Sequence, residues 1–154
     1  MKKIKFVFEK MMWHISGIGT TVFMLILAIA AFLAGRINLS FQIAAGIFAV
    51  YLITFPLKWF FFRERPKKEK HSNWIERFDA SSFPSAHANR AALLFVVLSY
   101  FFSSIHMALF LFAMSIMVSY ARIYLQRHYW RDIAFGYLLG IAEGFLIAKF
   151  IVLF

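Results

Sequence analysis

The pattern of apolar and polar residues divides the chain into long hydrophobic segments joined by short polar ones. A helix that crosses a bilayer needs about 20 mostly apolar residues. The segments that meet this requirement are 17–35, 41–62, 84–102, 105–125 and 132–154. Residues 1–16 mix apolar side chains with four lysines, which is typical of a helix lying in the membrane interface. The pattern predicts an all-α multi-pass bundle of about five transmembrane helices and an N-terminal interfacial helix.

Composition supports a membrane protein with one domain over residues 1–154. Hydrophobic residues make up 62% of the chain, whereas soluble domains contain roughly 45–50% apolar residues. A single soluble domain of 154 residues has too little interior to bury that excess. The first apolar run is too long for a signal-peptide core, so we expect a retained helix. The absence of Cys excludes disulfides and thiolate metal sites.

Basic residues and tryptophans mark one side of the predicted bundle. The net charge of +10 would suggest a nucleic-acid partner for a soluble protein. Because the basic residues here flank apolar spans, we instead predict the bilayer and a phosphorylated lipid substrate as partners, and no nucleic acid. Tryptophan favours the membrane–water interface. The side that holds the N-terminus and segments 63–83 and 126–131 also holds Trp13, Trp59, Trp74 and Trp130.

Two groups of polar residues on this side suit an anionic ligand. Lys58 and Arg65 are seven residues apart, so they share a helix face if the helix continues to that point. Ser85, Ala86 and His87 follow a proline at the start of a predicted helix. The free N–H groups and positive dipole end of a helix N-terminus favour anions. Snorkelling basic residues and an ordinary helix cap are the structural alternatives.

A third group on the same side combines Arg122, His128 and Asp132. His128 and Asp132 are four residues apart, so their side chains can meet if the turn is helical. A carboxylate beside an imidazole selects its tautomer and raises its basicity, which suits a nucleophile. An arginine can clamp phosphoryl oxygens. The groups contain cations but no carboxylate or Cys/His cluster, so we predict charge neutralisation by side chains, with no metal and no cofactor.

The three groups together resemble the signatures of a known family. Residues 58–66 fit K-x6-R-P, residues 84–87 resemble P-S-G-H, and residues 121–132 resemble S-R-x5-H-x3-D. In this order they resemble the type 2 phosphatidic acid phosphatase superfamily, over residues 58–132. Two positions depart from the pattern: Ala86 replaces a glycine and Ala121 replaces a serine. These departures bear on rate and substrate range more than on membership.

The resemblance implies metal-independent hydrolysis of a lipid phosphomonoester or diphosphate through a phosphohistidine. It implies that His128 attacks phosphorus, that Asp132 orients His128, and that His87 protonates the leaving oxygen. The implied phosphate-binding residues are Lys58, Arg65, Ser85, Ala86 and Arg122. Polyprenyl diphosphate, phosphatidate and phosphatidylglycerol phosphate are all compatible substrates. The alternatives are a lipid phosphotransferase that uses the same site and a non-catalytic lipid-binding membrane protein.

Four further features lie outside the three motifs. Arg90 lies one turn beyond His87 and either extends the phosphate pocket or faces the interface. Glu143 falls near the middle of the last span, where we favour a structural role. Lys67, Lys68 and Lys70 form a solvated loop or contact a diphosphate. Segment 74–78 is interpreted as a short interfacial helix that covers the site.

The orientation of the site in the cell membrane is predicted from two conflicting arguments. The side with the motifs holds 15 of the Lys and Arg residues, and the other side holds 2, namely Arg36 and Lys149. The positive-inside rule places the more basic side in the cytoplasm. The family resemblance implies an outward-facing site instead. We favour the cytoplasmic side, because the N-terminal lysines lie outside every motif and precede the first span.

Overall fold

The structure is a computed structural model that describes residues 2–67 and 80–151. These ranges contain helices and no strand, which confirms the predicted all-α class. The helices are α1 (Lys2–Gly17), α2 (Thr21–Leu33), α3 (Ile37–Phe60), α4 (Ala86–Phe102), α5 (Ile105–Tyr124) and α6 (Trp130–Phe150). Lys68, Lys70 and segment 74–78, for which the sequence suggested roles, lie outside the described residues.

The helices able to cross a membrane are fewer than the sequence predicted. Within the described ranges, α3, α5 and α6 are long and apolar enough, and a fourth span exists if α1 and α2 are counted as one bent helix pair. The bend between α1 and α2 is 51°. Segment 17–35 is therefore not a single helix. The 13 residues of α2 rise only about 20 Å, against a hydrocarbon core of about 30 Å.

The break between α1 and α2 is built from small and capping residues. The Thr20 hydroxyl accepts a hydrogen bond from the N–H of Phe23 at 3.3 Å and caps α2. Gly19 lies against the start of α4, where a Cβ atom would come within 2.9 Å of the His87 carbonyl oxygen. The break therefore packs tightly against the helix that carries the second sequence motif.

Helices α4 and α6 pack backbone against backbone. Three glycines on α6, at four-residue spacing, face the backbone of α4: Gly136, Gly140 and Gly144. Small residues at this spacing allow close helix approach in membranes. A Cβ atom at Gly136 would lie 2.5 Å from the Ser85 carbonyl oxygen. This close contact brings the first turns of the two helices together, and the Ser85 N–H donates to the Asp132 carbonyl at 3.1 Å.

Polar and apolar side chains are separated in the folded chain. Large apolar residues such as Phe48, Leu138 and Phe150 are exposed on the outside of the helices, as expected for surfaces that face lipid. Buried charged and polar residues concentrate where α3 and α5 end and α4 and α6 begin. All three sequence motifs meet at that end of the bundle.

Candidate active site

The second motif forms the N-terminus of α4. Ser85 is fully buried, and its hydroxyl caps the helix by accepting from the Ala88 N–H at 3.5 Å. The first N–H groups of a helix have no partner within that helix. Ala86 and His87, in this first turn, line a cavity. Ser85 itself does not line that cavity; it stabilises the helix end that does.

The first motif reaches the site differently from the predicted geometry. Helix α3 ends at Phe60, so the helix does not continue to Arg65 and the condition for a shared helix face is not met. Both residues nevertheless line the cavity. The loop is held by tertiary contacts: the Ser82 N–H donates to the Arg63 carbonyl at 2.7 Å, and the Ser82 hydroxyl donates to the Glu64 carbonyl at 3.2 Å. These bonds, not a continuous helix, bring Arg65 beside the site.

Lys58 and Arg122 are buried cations with defined contacts. The Lys58 ammonium donates to the Ser81 carbonyl at 3.2 Å. Arg122 lies in the last turn of α5, and its Nη1 donates to the Ser16 hydroxyl of α1 at 2.9 Å. Both side chains line the cavity. The bundle therefore holds two cations from different helices against one cavity.

His128 is held as a neutral imidazole. It lies between α5 and α6, and its Nδ1 is 2.7 Å from the Ser82 carbonyl oxygen. A carbonyl only accepts hydrogen bonds, so Nδ1 carries the proton and Nε2 carries the free lone pair. Burial, followed by the positive charge of Arg122, holds the pKa of His128 well below its usual value of 6.5. A neutral imidazole with an unprotonated Nε2 is the nucleophilic form.

Asp132 makes different contacts from those predicted. Its carboxylate is fully buried and accepts from Arg63 Nη1 at 3.0 Å and from the Tyr129 N–H at 3.0 Å. The Arg63 guanidinium also stacks 4.4 Å from the centre of the Tyr129 ring. Among the described residues no bond joins Asp132 to His128. Helix α6 begins at Trp130, so His128 precedes the helix and the four-residue spacing is not a helical turn.

The cavity at this end of the bundle has a volume of about 120 Å³. Its lining residues are Tyr51, Thr54, Lys58, Arg65, Ala86, His87, Arg90, Arg122 and His128. The structure thus brings together six of the eight predicted site residues, and it leaves Ser85 and Asp132 just outside. Tyr51 and Thr54 are additions, and Arg90 extends the pocket, which is one of the two alternatives that the sequence left open. Tyr51 and Thr54 precede Lys58 by seven and four residues on α3, so helical spacing could have predicted them.

The charge and size of the cavity suit a phosphoryl group. Four cations and two imidazoles line it, and none of the described carboxylates does. The described ranges also contain no group of three His, Asp or Glu side chains placed to hold a metal ion. A volume of about 120 Å³ is well below the ~300 Å³ of small whole-ligand pockets. The cavity therefore accommodates an anionic head while the rest of its ligand stays outside.

A family model and solved structures match this chain. A family model described as the PAP2 superfamily matches residues 39–153. The crystal structure of LpxE from Aquifex aeolicus is 25% identical, with a TM-score of 0.78 over 94% of this chain and 87% of that chain. The PAP2-type phosphatidylglycerolphosphate phosphatase of Bacillus subtilis is also 25% identical, with a TM-score of 0.73 over 93% of this chain and 76% of that chain. No curated protein matches the sequence.

Proposed function

Because the chain belongs to the PAP2 superfamily and is a membrane lipid phosphatase, we propose that it hydrolyses a lipid phosphomonoester or diphosphate through a phosphohistidine on His128. The observation that carries the proposal is the state of this imidazole. Its Nδ1 proton is committed to the Ser82 carbonyl, and its lowered pKa keeps Nε2 unprotonated beside four cations. That combination supports nucleophilic attack on a bound phosphoryl group.

The proposed reaction has two balanced steps. In the first, the Nε2 lone pair of His128 bonds to phosphorus, and the bond from phosphorus to the lipid oxygen breaks. His87, in the protonated form that a bound phosphate dianion stabilises, donates its proton to that leaving oxygen. In the second step, water attacks the phosphohistidine, His87 accepts the water proton, and the phosphorus–nitrogen bond breaks. Inorganic phosphate leaves and both histidines return to their starting forms.

Lys58, Arg65, Arg122 and the N–H of Ala86 hold the phosphoryl oxygens in this proposal. Their support is that all four residues line the small cavity. Fixed positive charges in a water-poor site stabilise the charge that develops on the transferring group. They supply the neutralisation that a divalent ion provides in other phosphatases, so the proposed reaction needs no metal.

Ser85 and Asp132 act as positioning residues in this proposal. Ser85 caps α4 and so orients the Ala86 N–H. Asp132 ties together Arg63 and the Tyr129 backbone, which flank the loop of His128. The contacts that orient His128 are therefore the Ser82 carbonyl and this loop. Asp132 acts indirectly, through Arg63 and Tyr129.

The substrate is proposed to be a lipid whose tail remains in the bilayer. The cavity is small and lined by cations, which suits an anionic head, and the outer helix surfaces are rich in exposed apolar side chains. The related Bacillus subtilis protein is a phosphatidylglycerolphosphate phosphatase. That lipid, phosphatidate and polyprenyl diphosphate form the panel to be tested.

Phosphate release from this panel by purified protein, in the presence of EDTA, tests the proposal. We expect turnover of at least one lipid, and we expect His128→Ala to lower kcat by more than about 10³-fold, as loss of a nucleophile does. His106→Ala is the matched control, because His106 is exposed at the start of α5, away from the cavity. Normal turnover by a folded His128→Ala protein would refute the assignment.

We also propose that the site faces the cytoplasm, on the strength of the basic residues on that side. The chain has no cysteine, so single-cysteine variants report topology cleanly. Lys67→Cys and Arg36→Cys place exposed thiols at opposite ends of the bundle. A membrane-impermeant thiol reagent applied to intact cells should label only Arg36→Cys. Labelling of Lys67→Cys alone would reverse the orientation.

A further inference from the structure

Arg90 is a buried cation of the cavity that belongs to none of the three motifs. It lies on α4, three residues beyond His87, and is 6% exposed. Its Nε donates to the Gly19 carbonyl at 2.7 Å, and its side chain lines the cavity. Among the described residues no carboxylate pairs with it. One edge of the guanidinium is thus anchored, and its charge has no anionic partner within the described chain.

A buried charge without a counter-charge is costly, especially within a membrane protein. An anionic ligand in the cavity supplies the missing counter-charge. We propose that Arg90 binds a phosphate oxygen of the substrate as a fourth cation, and that Gly19 and Ser16 position Arg90 and Arg122 for this purpose. The inference rests on the proposed function of the site and extends it to residues that the motifs do not include.

The positioning contacts come from the break between α1 and α2. The Gly19 carbonyl reaches Arg90 because glycine permits close packing here; a Cβ atom would lie 2.9 Å from the His87 carbonyl oxygen and from Val118 Cγ1. Ser16, 2% exposed on α1, accepts from Arg122 Nη1 at 2.9 Å. Both residues precede the region 39–153 that matches the family model. The N-terminal helices therefore contribute to the phosphate site as well as to membrane attachment.

The role of Arg90 is tested by equilibrium binding of inorganic phosphate to the detergent-solubilised full chain, measured from the phosphate-dependent rise in Tm. A hydrogen bond to a charged group is lost in Arg90→Gln, so we expect its Kd to rise about tenfold or more. Arg90→Lys keeps the charge but not the planar fork, and a rise of about threefold is expected. Arg36→Gln, an exposed arginine at the other end, should leave Kd unchanged.

A wild-type Kd for folded Arg90→Gln would overturn the assignment. If that variant does not fold, a wild-type Kd for Arg90→Lys would overturn it equally. The measurement does not depend on turnover, which separates it from the proposed function. A chain that binds phosphate through Arg90 but releases none from any lipid would contradict the proposed reaction alone. A chain that turns over lipid while Arg90→Gln binds phosphate normally would contradict this inference alone.

The positioning role is tested by a pair of hydroxyl deletions near the break. Ser16→Ala removes the acceptor of Arg122, and we expect the phosphate Kd to rise about threefold, with Ser16→Thr restoring it. Thr20→Ala removes the cap of α2 but touches neither arginine. It should lower Tm and leave Kd unchanged. An equal rise in Kd for both alanine variants would show that Ser16 is merely structural.

Discussion

The α4–α6 pair and the α1–α2 pair support the residues of the same cavity by different means. Helices α4 and α6 meet backbone to backbone through three glycines of α6, and they carry His87 and Asp132. Helices α1 and α2 carry no motif, are separated by a 51° bend, and reach the site through the Ser16 and Gly19 contacts.

The two helix pairs therefore have different roles: one positions the chemical groups, and the other orients two arginines. Close packing of α4 and α6 determines where the chemical groups stand relative to one another, so little variation in side-chain size is tolerated there. The N-terminal pair orients Arg90 and Arg122 through one hydrogen bond each. Each bond contributes a modest net free energy. Overpacking the glycine contacts of the first region should therefore affect folding, whereas removing the Ser16 contact of the second should affect phosphate affinity.

The largest effect is expected on Tm, when one glycine from each region is replaced by alanine. A Cβ atom at Gly140 would overlap the Asn89 carbonyl, whereas one at Gly17 meets nothing within 4 Å. Overpacking costs about 1–3 kcal/mol or more, which for a chain of this size lowers Tm by several degrees. We expect Gly140→Ala to lower Tm by about 5 °C or more, or to prevent folding, and Gly17→Ala to leave Tm within about 2 °C. Equal Tm values would mean that the glycines of α6 are not needed for packing.

A smaller effect should follow from breaking the Asp132 contacts within the α4–α6 region. Losing a buried charged hydrogen bond costs about 1.5–3 kcal/mol, so Asp132→Asn should lower kcat/KM by roughly 10- to 100-fold. Arg63 is 41% exposed, so Arg63→Gln should cost only a few-fold. Because Asp132 does not touch His128 among the described residues, neither change should move the acid limb of the pH profile. A displaced limb in Asp132→Asn would show that the two side chains do meet in the working enzyme.

The smallest expected change is in the pH dependence of kcat/KM. Protonated His128 has no lone pair for attack, and burial and Arg122 lower its pKa, so kcat/KM should persist below pH 6.5 and fall only in more acidic solution. Arg122→Gln removes the second of these causes, and its acid limb should move upward toward 6.5. Substrate ionisation is common to both proteins, so it does not explain a displaced acid limb, and protonation of His128 removes the lone pair on which that limb depends. Identical limbs would contradict the electrostatic account.

The lowered pKa of His128 also makes the folding stability of the protein depend on pH. His128 is neutral in the folded chain and binds a proton more readily when unfolded, so this contribution to stability is present above pH 6.5 and is lost as pH falls below it.

Much of the site was predictable because residue types and motif order specify chemistry directly. Lys58, His87 and His128 were predicted as site residues, and the fold brings their side chains to one cavity. The roles assigned to them remain predictions.

The two differences in site geometry share one physical origin, namely that helical spacing does not apply past a helix end. Arg65 lies beyond the end of α3, and His128 precedes α6. Loop hydrogen bonds such as that from Ser82 to Arg63 decide their positions. The contacts of Ser16 and Gly19 span 106 and 71 residues, and no local pattern in the sequence indicates them.

The central claim is that phosphorus becomes bonded to His128. Its most direct test is to mix purified protein with a turned-over lipid phosphate, quench rapidly in alkali, where phosphohistidine is stable, and examine the peptides by mass spectrometry. We expect one phosphoryl group on His128, formed as fast as turnover and absent from His128→Ala. A wild-type enzyme that turns over without any such peptide, or a phosphoryl group that persists on His128→Ala protein, would contradict it.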